Sequence, residues 1–161
     1  MKTISSFILA CSFLPLFALA QKHGDNKKDK ETAVQKMVEG KDFIFVANTA
    51  MPLRGSVRQL TPPNEFRVSG DSVISDLPFF GRAYTAPVDF SAGGIKLVSA
   101  ENEYVAVPRK KSGWDISIKP SDKTNVRQFN LTIFPNGSAT LQVTNTNRDP
   151  ISFNGYVTGR K

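Results

Sequence analysis

Glu101 and Glu103 stand two residues apart in a stretch of alternating character. On a strand their side chains would share a face, about 6–7 Å apart over two strand rises. Glycoside hydrolases place their paired carboxylates at comparable separations. The same spacing also arises on an ordinary solvated strand face, here with Lys110 and Lys111 nearby, and charged side chains are mostly exposed. The pair therefore supports a carboxylate-dependent glycan hydrolase as the alternative function rather than the leading one. Asp71 and Asp76 flank Val73 and Ile74. Calcium takes about six to eight oxygen ligands, and no further acids gather there, so both aspartates read as turn-capping residues.

The denser candidate is aromatic. Phe79, Phe80, Tyr84 and Phe90 lie within a run rich in proline and glycine, with Arg82 between them. Such rings offer apolar area, and an arginine among them suits clamping an anion or stacking on a ring. The competing reading is structural: the aromatics plug one end of a β domain, and Arg82 pairs with Asp71 or Asp76. On that reading Phe80 points into the core, and Gly81 holds a backbone conformation that a Cβ would hinder.

Other chemistries lack their residues. The 161-residue chain has one cysteine, Cys11, and one histidine, His23, and both precede the patterned region. That removes a zinc site built on a Cys-x-x-Cys pair, an internal disulfide, and a Cys-His or Ser-His-Asp centre in the folded part. No Gly-rich phosphate loop is present, and nothing in the sequence calls for a cofactor or metal, so no catalytic residue is assigned. At 40% hydrophobic and 22% charged, the chain is neither disordered nor a multispanning membrane protein.

Residues 1–20 have the layout of a cleaved secretory signal: Lys2, an apolar run from Ile4 to Phe17, then Ala18-Leu19-Ala20 before Gln21. Cleavage between Ala20 and Gln21 is expected, with a periplasmic or secreted product. Ile8-Leu9-Ala10-Cys11 also resembles a lipoprotein box, which makes a lipid on Cys11 the alternative attachment. Cleavage removes one base, Lys2, and no acid, so the net charge falls from +7 to +6. The remaining bases are scattered apart from Arg109-Lys110-Lys111, and export takes the chain away from nucleic acid. The partners that fit are an envelope protein, a glycan or a small apolar ligand, with membrane contact only through the signal or the Cys11 lipid.

Two periodicities organise the chain beyond Gln21. Residues 21–31 are polar and read as a tail. Ala33, Val34, Met37 and Val38 then fall on a helical stripe, giving one short helix from about Asp29 to Glu39, with Gly40 as its C-cap. After Gly40 the period drops to two, through Phe43-Phe45-Ala47, Phe66-Val68, Trp114-Ile116-Ile118, Phe129-Leu131-Ile133, Ala139-Leu141-Val143 and Ile151-Phe153. Each run has one apolar and one polar face, as antiparallel strands over a core require. Pro135-Asn136-Gly137-Ser138 is a strong hairpin turn. From Tyr104 onward the pattern is a five-strand meander, and Trp114 is placed on the inward face. The fold class is all-β with one short N-terminal helix, as an antiparallel sandwich or an open barrel, in a single domain over residues 32–161.

Several blocks are similar to a known family. They are Gly70-Asp71, Leu77-Pro78-x-Phe80-Gly81-Arg82-Ala83-Tyr84-x-Ala86-Pro87 and Gly93-Gly94-Ile95, with Phe43-x-Phe45-x-Ala47, Pro150-Ile151-Ser152 and Gly155-Tyr156. Together these resemble domain of unknown function 4251, a family of small exported proteins from Gram-negative bacteria. The resemblance implies an antiparallel β domain sent to the cell envelope and carries no established activity. The helix read here is shorter than the Lys/Glu-rich helix of that family. Asp71-Ser72-Val73 also fits an Asp-Ser-aliphatic pattern, which makes Ser72 a candidate O-glycosylation site. The expected role is an exported, non-catalytic binding or structural module.

Overall fold

The computed structural model describes residues 22–84, 93–121 and 125–160, with side chains from residue 28 onward. Helix α1 (Lys22–Glu39) leads into β1 (Asp42–Pro52), β2 (Arg58–Gln59), β3 (Glu65–Ser69), β4 (Ser72–Pro78) and β5 (Gly94–Ser99). Then come β6 (Asn102–Pro108), β7 (Trp114–Pro120), β8 (Val126–Ile133), β9 (Ser138–Asn145) and β10 (Ile151–Thr158). All pairings are antiparallel, in the order β5-β4-β3-β1-β10-β9-β8-β7-β6, with β2 added to β1. The sheet curls into a nearly closed barrel, which resolves the choice between barrel and sandwich. Its two edge strands, β5 and β6, are consecutive in the chain and joined through Ala100 and Glu101.

The inward face of each strand supplies the core. Phe43, Phe45, Phe66, Phe129 and Phe153 are fully buried, and the Phe66 and Phe129 rings meet at 4.6 Å between centroids. Strand β1 stands between β3 and β10, and its register on β10 shifts between Ala47 and Thr49. Such a bulge sharpens the twist that closure needs. Gly155 lies opposite Ala47, where a Cβ would sit 1.9 Å from the Val46 carbonyl oxygen. Only glycine allows β10 to approach β1 this closely.

Helix α1 covers one end of the barrel. Val34 and Val38 are buried, and Met37 packs beside them. The Tyr104 hydroxyl on β6 donates to the Val38 carbonyl at 3.1 Å. Burial pushes the Tyr104 pKa up to about 12.

The helix begins seven residues earlier than the apolar stripe predicts, so the polar stretch expected as a tail is helical from Lys22. Lys28, Asp29 and Lys30 are exposed there; of the seven added residues the three lysines favour helix, whereas Gly24, Asp25 and Asn26 oppose it, so propensity alone does not account for the longer helix. Ala33 is exposed rather than part of the buried stripe. The left-handed residue that ends the helix is Lys41, at φ 49°, one position after the expected Gly40. Gly40 instead donates its N–H to the Lys36 carbonyl at 2.9 Å. The meander from Tyr104 is present as β6 to β10. Trp114 faces inward but is only half buried, because it starts β7 at the barrel rim beside Pro108.

Candidate functional site

Three connections converge at the barrel end away from the helix: the one that follows β1 at Pro52, the one between β4 at Pro78 and β5 at Gly94, and the one that links β9 to β10. The segment Phe79–Tyr84 is fastened to the last of these. Tyr84 N–H donates to the Asn147 carbonyl at 2.8 Å, Asp149 N–H donates to the Arg82 carbonyl at 3.0 Å, and Ala83 bridges Arg148 in antiparallel fashion. This run is therefore a fixed strap over its described part. Gly81 has φ 156°, and a Cβ there would lie 3.0 Å from Phe79 Cζ and 3.4 Å from Asp149 Cβ, so the conformation expected of Gly81 is present.

Asp149 is the anchor. It is 3% exposed, and a carboxylate removed from water must be hydrogen-bonded or paired. Its Oδ1 accepts from the Tyr84 hydroxyl, and its Oδ2 accepts from the Arg82 N–H at 3.3 Å. The Tyr84 hydrogen bond holds the Asp149 pKa below its usual range, against the opposing effect of burial; the Arg82 N–H and the charges of Arg54 and Arg82 add to the lowering. The same hydrogen bond is the first cause raising the Tyr84 pKa, followed by burial and the Asp149 charge.

Each phenylalanine of the strap carries an arginine. The Arg58 guanidinium lies 4.7 Å from the Phe80 ring centroid, and that of Arg148 lies 5.1 Å from Phe79. Arg148 also donates to the Gly94 carbonyl at 3.1 Å. Phe79 and Phe80 are half buried and pack against the core from its end. Phe80 is thus a plug at the rim and not a core residue, because Arg58 occupies its other face. Arg82 and Tyr84 behave differently: both are exposed, Tyr84 at 67%. Arg82 pairs with neither Asp71 nor Asp76, which are taken by Lys41 at 3.0 Å and Lys96 at 3.8 Å. What Arg82 contributes to the fold is its backbone. The charges of Arg54 and Arg82 act on the buried Asp149 carboxylate, while Arg148 precedes it in the chain and Arg58 lies on Phe80; among the described residues none of the four forms an ion pair with an acid.

The remaining candidates do not join this end. Glu103 pairs with Lys119 at 3.2 Å on the barrel's outer surface, and Glu101 is exposed beyond the start of β6. Ser72 is half buried in the β3–β4 hairpin, with its hydroxyl 3.5 Å from the Ala100 carbonyl. Phe90, Ala20, Gln21 and Cys11 lie outside the described residues, as do Ala86 and Pro87. Among the described residues, no three of His, Cys, Asp and Glu come together to hold a metal ion. No helix among them is long and apolar enough to cross a membrane.

Sequence reasoning passed over Asp149, Arg148, Arg58 and Arg54. Asn145–Pro150 has the composition of a loop, and the partners that make Asp149 distinctive lie more than sixty positions away. A lone Asp-Pro step carries no local sign of burial.

A family model described as "Domain of unknown function (DUF4251)" matches residues 25–157. Among solved structures, the chain is similar to the crystal structure of a DUF4251 family protein from Bacteroides eggerthii DSM 20697, with a TM-score of 0.61 and 15% identity over 81% of this chain and 88% of that one. At that identity the likeness speaks for the fold alone. No curated protein matches the sequence.

Proposed function

The chain belongs to the DUF4251 family, and from that premise and the geometry of its strapped end we propose that it is an exported, non-catalytic module that binds an anionic group of the cell envelope. The observation that carries the reading is the pairing of an exposed Tyr84 ring and an exposed Arg82 on a segment that Asp149 holds fixed. The Tyr84 ring, already held through its hydroxyl, loses little entropy when a ligand arrives, and the fixed backbone sets where Arg82 stands. Arg54, Arg58, Arg82 and Arg148 give this end a cationic excess over Asp149, and a guanidinium grips carboxylate or phosphate through two parallel hydrogen bonds. Phe79 and Phe80 serve as the plug beneath. A glycan bearing carboxylates, or an acidic patch on an envelope protein, has the matching chemistry.

Calorimetric titration with oligogalacturonate, against a neutral oligosaccharide of equal length, tests this. Binding to the acidic glycan alone, weakened by salt and lost in Arg54→Ala/Arg82→Ala, is the expected result. Equal affinity for both sugars, or binding unchanged in the double variant, defeats it. Because the Arg82 side chain is exposed, Arg82→Ala is expected to change stability by no more than about 0.5 kcal/mol.

Export rests on the residue pattern before Gln21. Protein recovered from the cell envelope is expected to have the mass of a chain beginning at Gln21. A diacylglycerol-modified Cys11 would replace the soluble form with an anchored one.

A further inference from the structure

The barrel is not closed between its edge strands. Among the described residues, β6 pairs with β7 on one side and with no strand on the other. The direction of its main-chain groups is given by the ladder ends. Arg109 N–H donates to the Gly113 carbonyl, and the Glu101 carbonyl accepts from Ser121 N–H. The odd-numbered residues thus face β7, since N–H and C=O of one strand residue point the same way and alternate along the strand. Asn102, Tyr104, Ala106 and Pro108 turn theirs to the open side. Pro108, which has no N–H, lacks it where β7 has no use for it.

This free edge is apolar at the centre of its outer face, and among the described residues its one blocking device is Pro108, at the end of the strand. Val105 and Val107 are 46% and 54% exposed. On the inner face Ala106 is exposed as well, although its neighbour on β7, Ile116, is buried. Natural edge strands are typically protected by a central charge, a bulge or a covering segment. Residues 104–107 hold no charge. The charges sit at the two ends with opposite sign: Glu101 and Glu103 before the valines, Arg109, Lys110 and Lys111 after them. Within the chain Glu103 also pairs with Lys119 at 3.2 Å and Arg109 with Asp115 at 3.3 Å, both exposed pairs that leave room for a second partner.

We propose that β6 pairs antiparallel with β6 of a second copy of this chain about a two-fold axis at Ala106. A strand that is acidic at its beginning and basic at its end is complementary to its own antiparallel copy. In this register Ala106 exchanges both main-chain hydrogen bonds with its symmetry mate, and each Tyr104 N–H meets the opposing Pro108 carbonyl. Val105 lies beside the opposing Val107, Glu103 faces the opposing Arg109, and Glu101 reaches the level of the opposing Lys111. Every contact occurs twice, as an isologous interface requires. A parallel arrangement would set like charges against each other at both ends.

Sedimentation of the purified protein and three variants tests the pairing. The native protein is expected to sediment as a dimer. Glu103→Lys and Arg109→Glu each place like charges across the axis and should weaken dimerisation at least tenfold. An equimolar mixture of the two should recover dimers, because each copy then supplies the charge the other needs. Ala106→Pro removes an N–H that β7 does not use, so it should yield a folded monomer with the native circular-dichroism spectrum, whose melting temperature, unlike that of the native dimer, does not rise with protein concentration. A native monomer at concentrations up to about 1 mM, including one whose β6 edge takes up a different envelope protein, overturns the proposal. So does a dimer that survives Ala106→Pro.

Discussion

The Tyr84 hydroxyl and the Asp149 carboxylate, sixty-five positions apart in the chain, form one hydrogen bond that fastens the Phe79–Tyr84 strap to the β9–β10 connection. The bond makes an exposed phenol the partner of a buried acid. It sets the pKa values of both groups in opposite directions, lower for Asp149 and higher for Tyr84.

The two shifts define two pH limbs. An acid with a lowered folded pKa contributes stability in full above its ordinary value, here 3.8, and loses it as pH falls below that value. A phenol with a raised pKa contributes in full below 10.0 and loses it as pH rises beyond. Tyr84→Phe is expected to flatten the acid limb and part of the alkaline one. Urea midpoints measured across both ranges check this; an acid limb identical to that of the native protein would separate Asp149 from Tyr84.

Tyr104 supplies the rest of the alkaline limb. Its pKa of about 12 comes from burial, so it resists ionisation until well above pH 10. Its stabilising contribution is lost as pH rises from about 10 through 12. Tyr104→Phe should remove that loss and, at neutral pH, cost about 1 kcal/mol for the hydrogen bond to the Val38 carbonyl. Phenolate absorbance during alkaline titration is the direct readout.

Gly155→Ala should be among the most damaging single-methyl additions. The new Cβ would meet the Val46 carbonyl oxygen at 1.9 Å, the Val46 carbonyl carbon at 2.9 Å and Ala47 Cα at 3.1 Å. These are backbone atoms in the β1–β10 ladder and cannot rotate away. A loss of about 3 kcal/mol is expected, read as a lower urea midpoint; a loss below about 1 kcal/mol would mean that the strands separate easily.

Phe129, not Trp114, should be the heavier anchor. Phe129 is fully buried against Phe66, so Phe129→Ala should cost about 3–5 kcal/mol. Trp114 is half buried at the rim, and its truncation should cost less, about 1–3 kcal/mol. The opposite ranking in denaturant would place the mechanical centre of the core at the β6–β7 hairpin.

The sequence pattern was legible wherever apolar residues point inward and polar ones outward. That holds for β1, β3 and β7 to β10, whose alternation predicts both strand and face. It fails within β4 and β5, where Val73, Leu77 and Ile95 face inward but one serine on each strand also does so while its aliphatic neighbour faces out. Ser75 is buried, with its hydroxyl donating to the Ile95 carbonyl at 2.7 Å, while Ile74 is 44% exposed. Ser99 is buried on β5 beside an exposed Val98. Alternation cannot reveal strands whose inward serines are satisfied by hydrogen bonds formed only after folding. The aromatic strap was visible as a composition, and Gly81 as a backbone requirement. Asp149 was not, because burial of a loop carboxylate depends on a tyrosine and a backbone amide from the distant strap.

The placement of β1 between β3 and β10 has a consequence for the order in which the protein is made. The first strand to leave the ribosome acquires one neighbour within about thirty residues but waits for the last strand to acquire the other. Contacts of such high sequence separation slow folding. The barrel cannot complete this ladder until Thr158 has emerged. Such a delay would suit the proposed export, in which the chain passes a narrow channel still unfolded and takes its final shape afterwards.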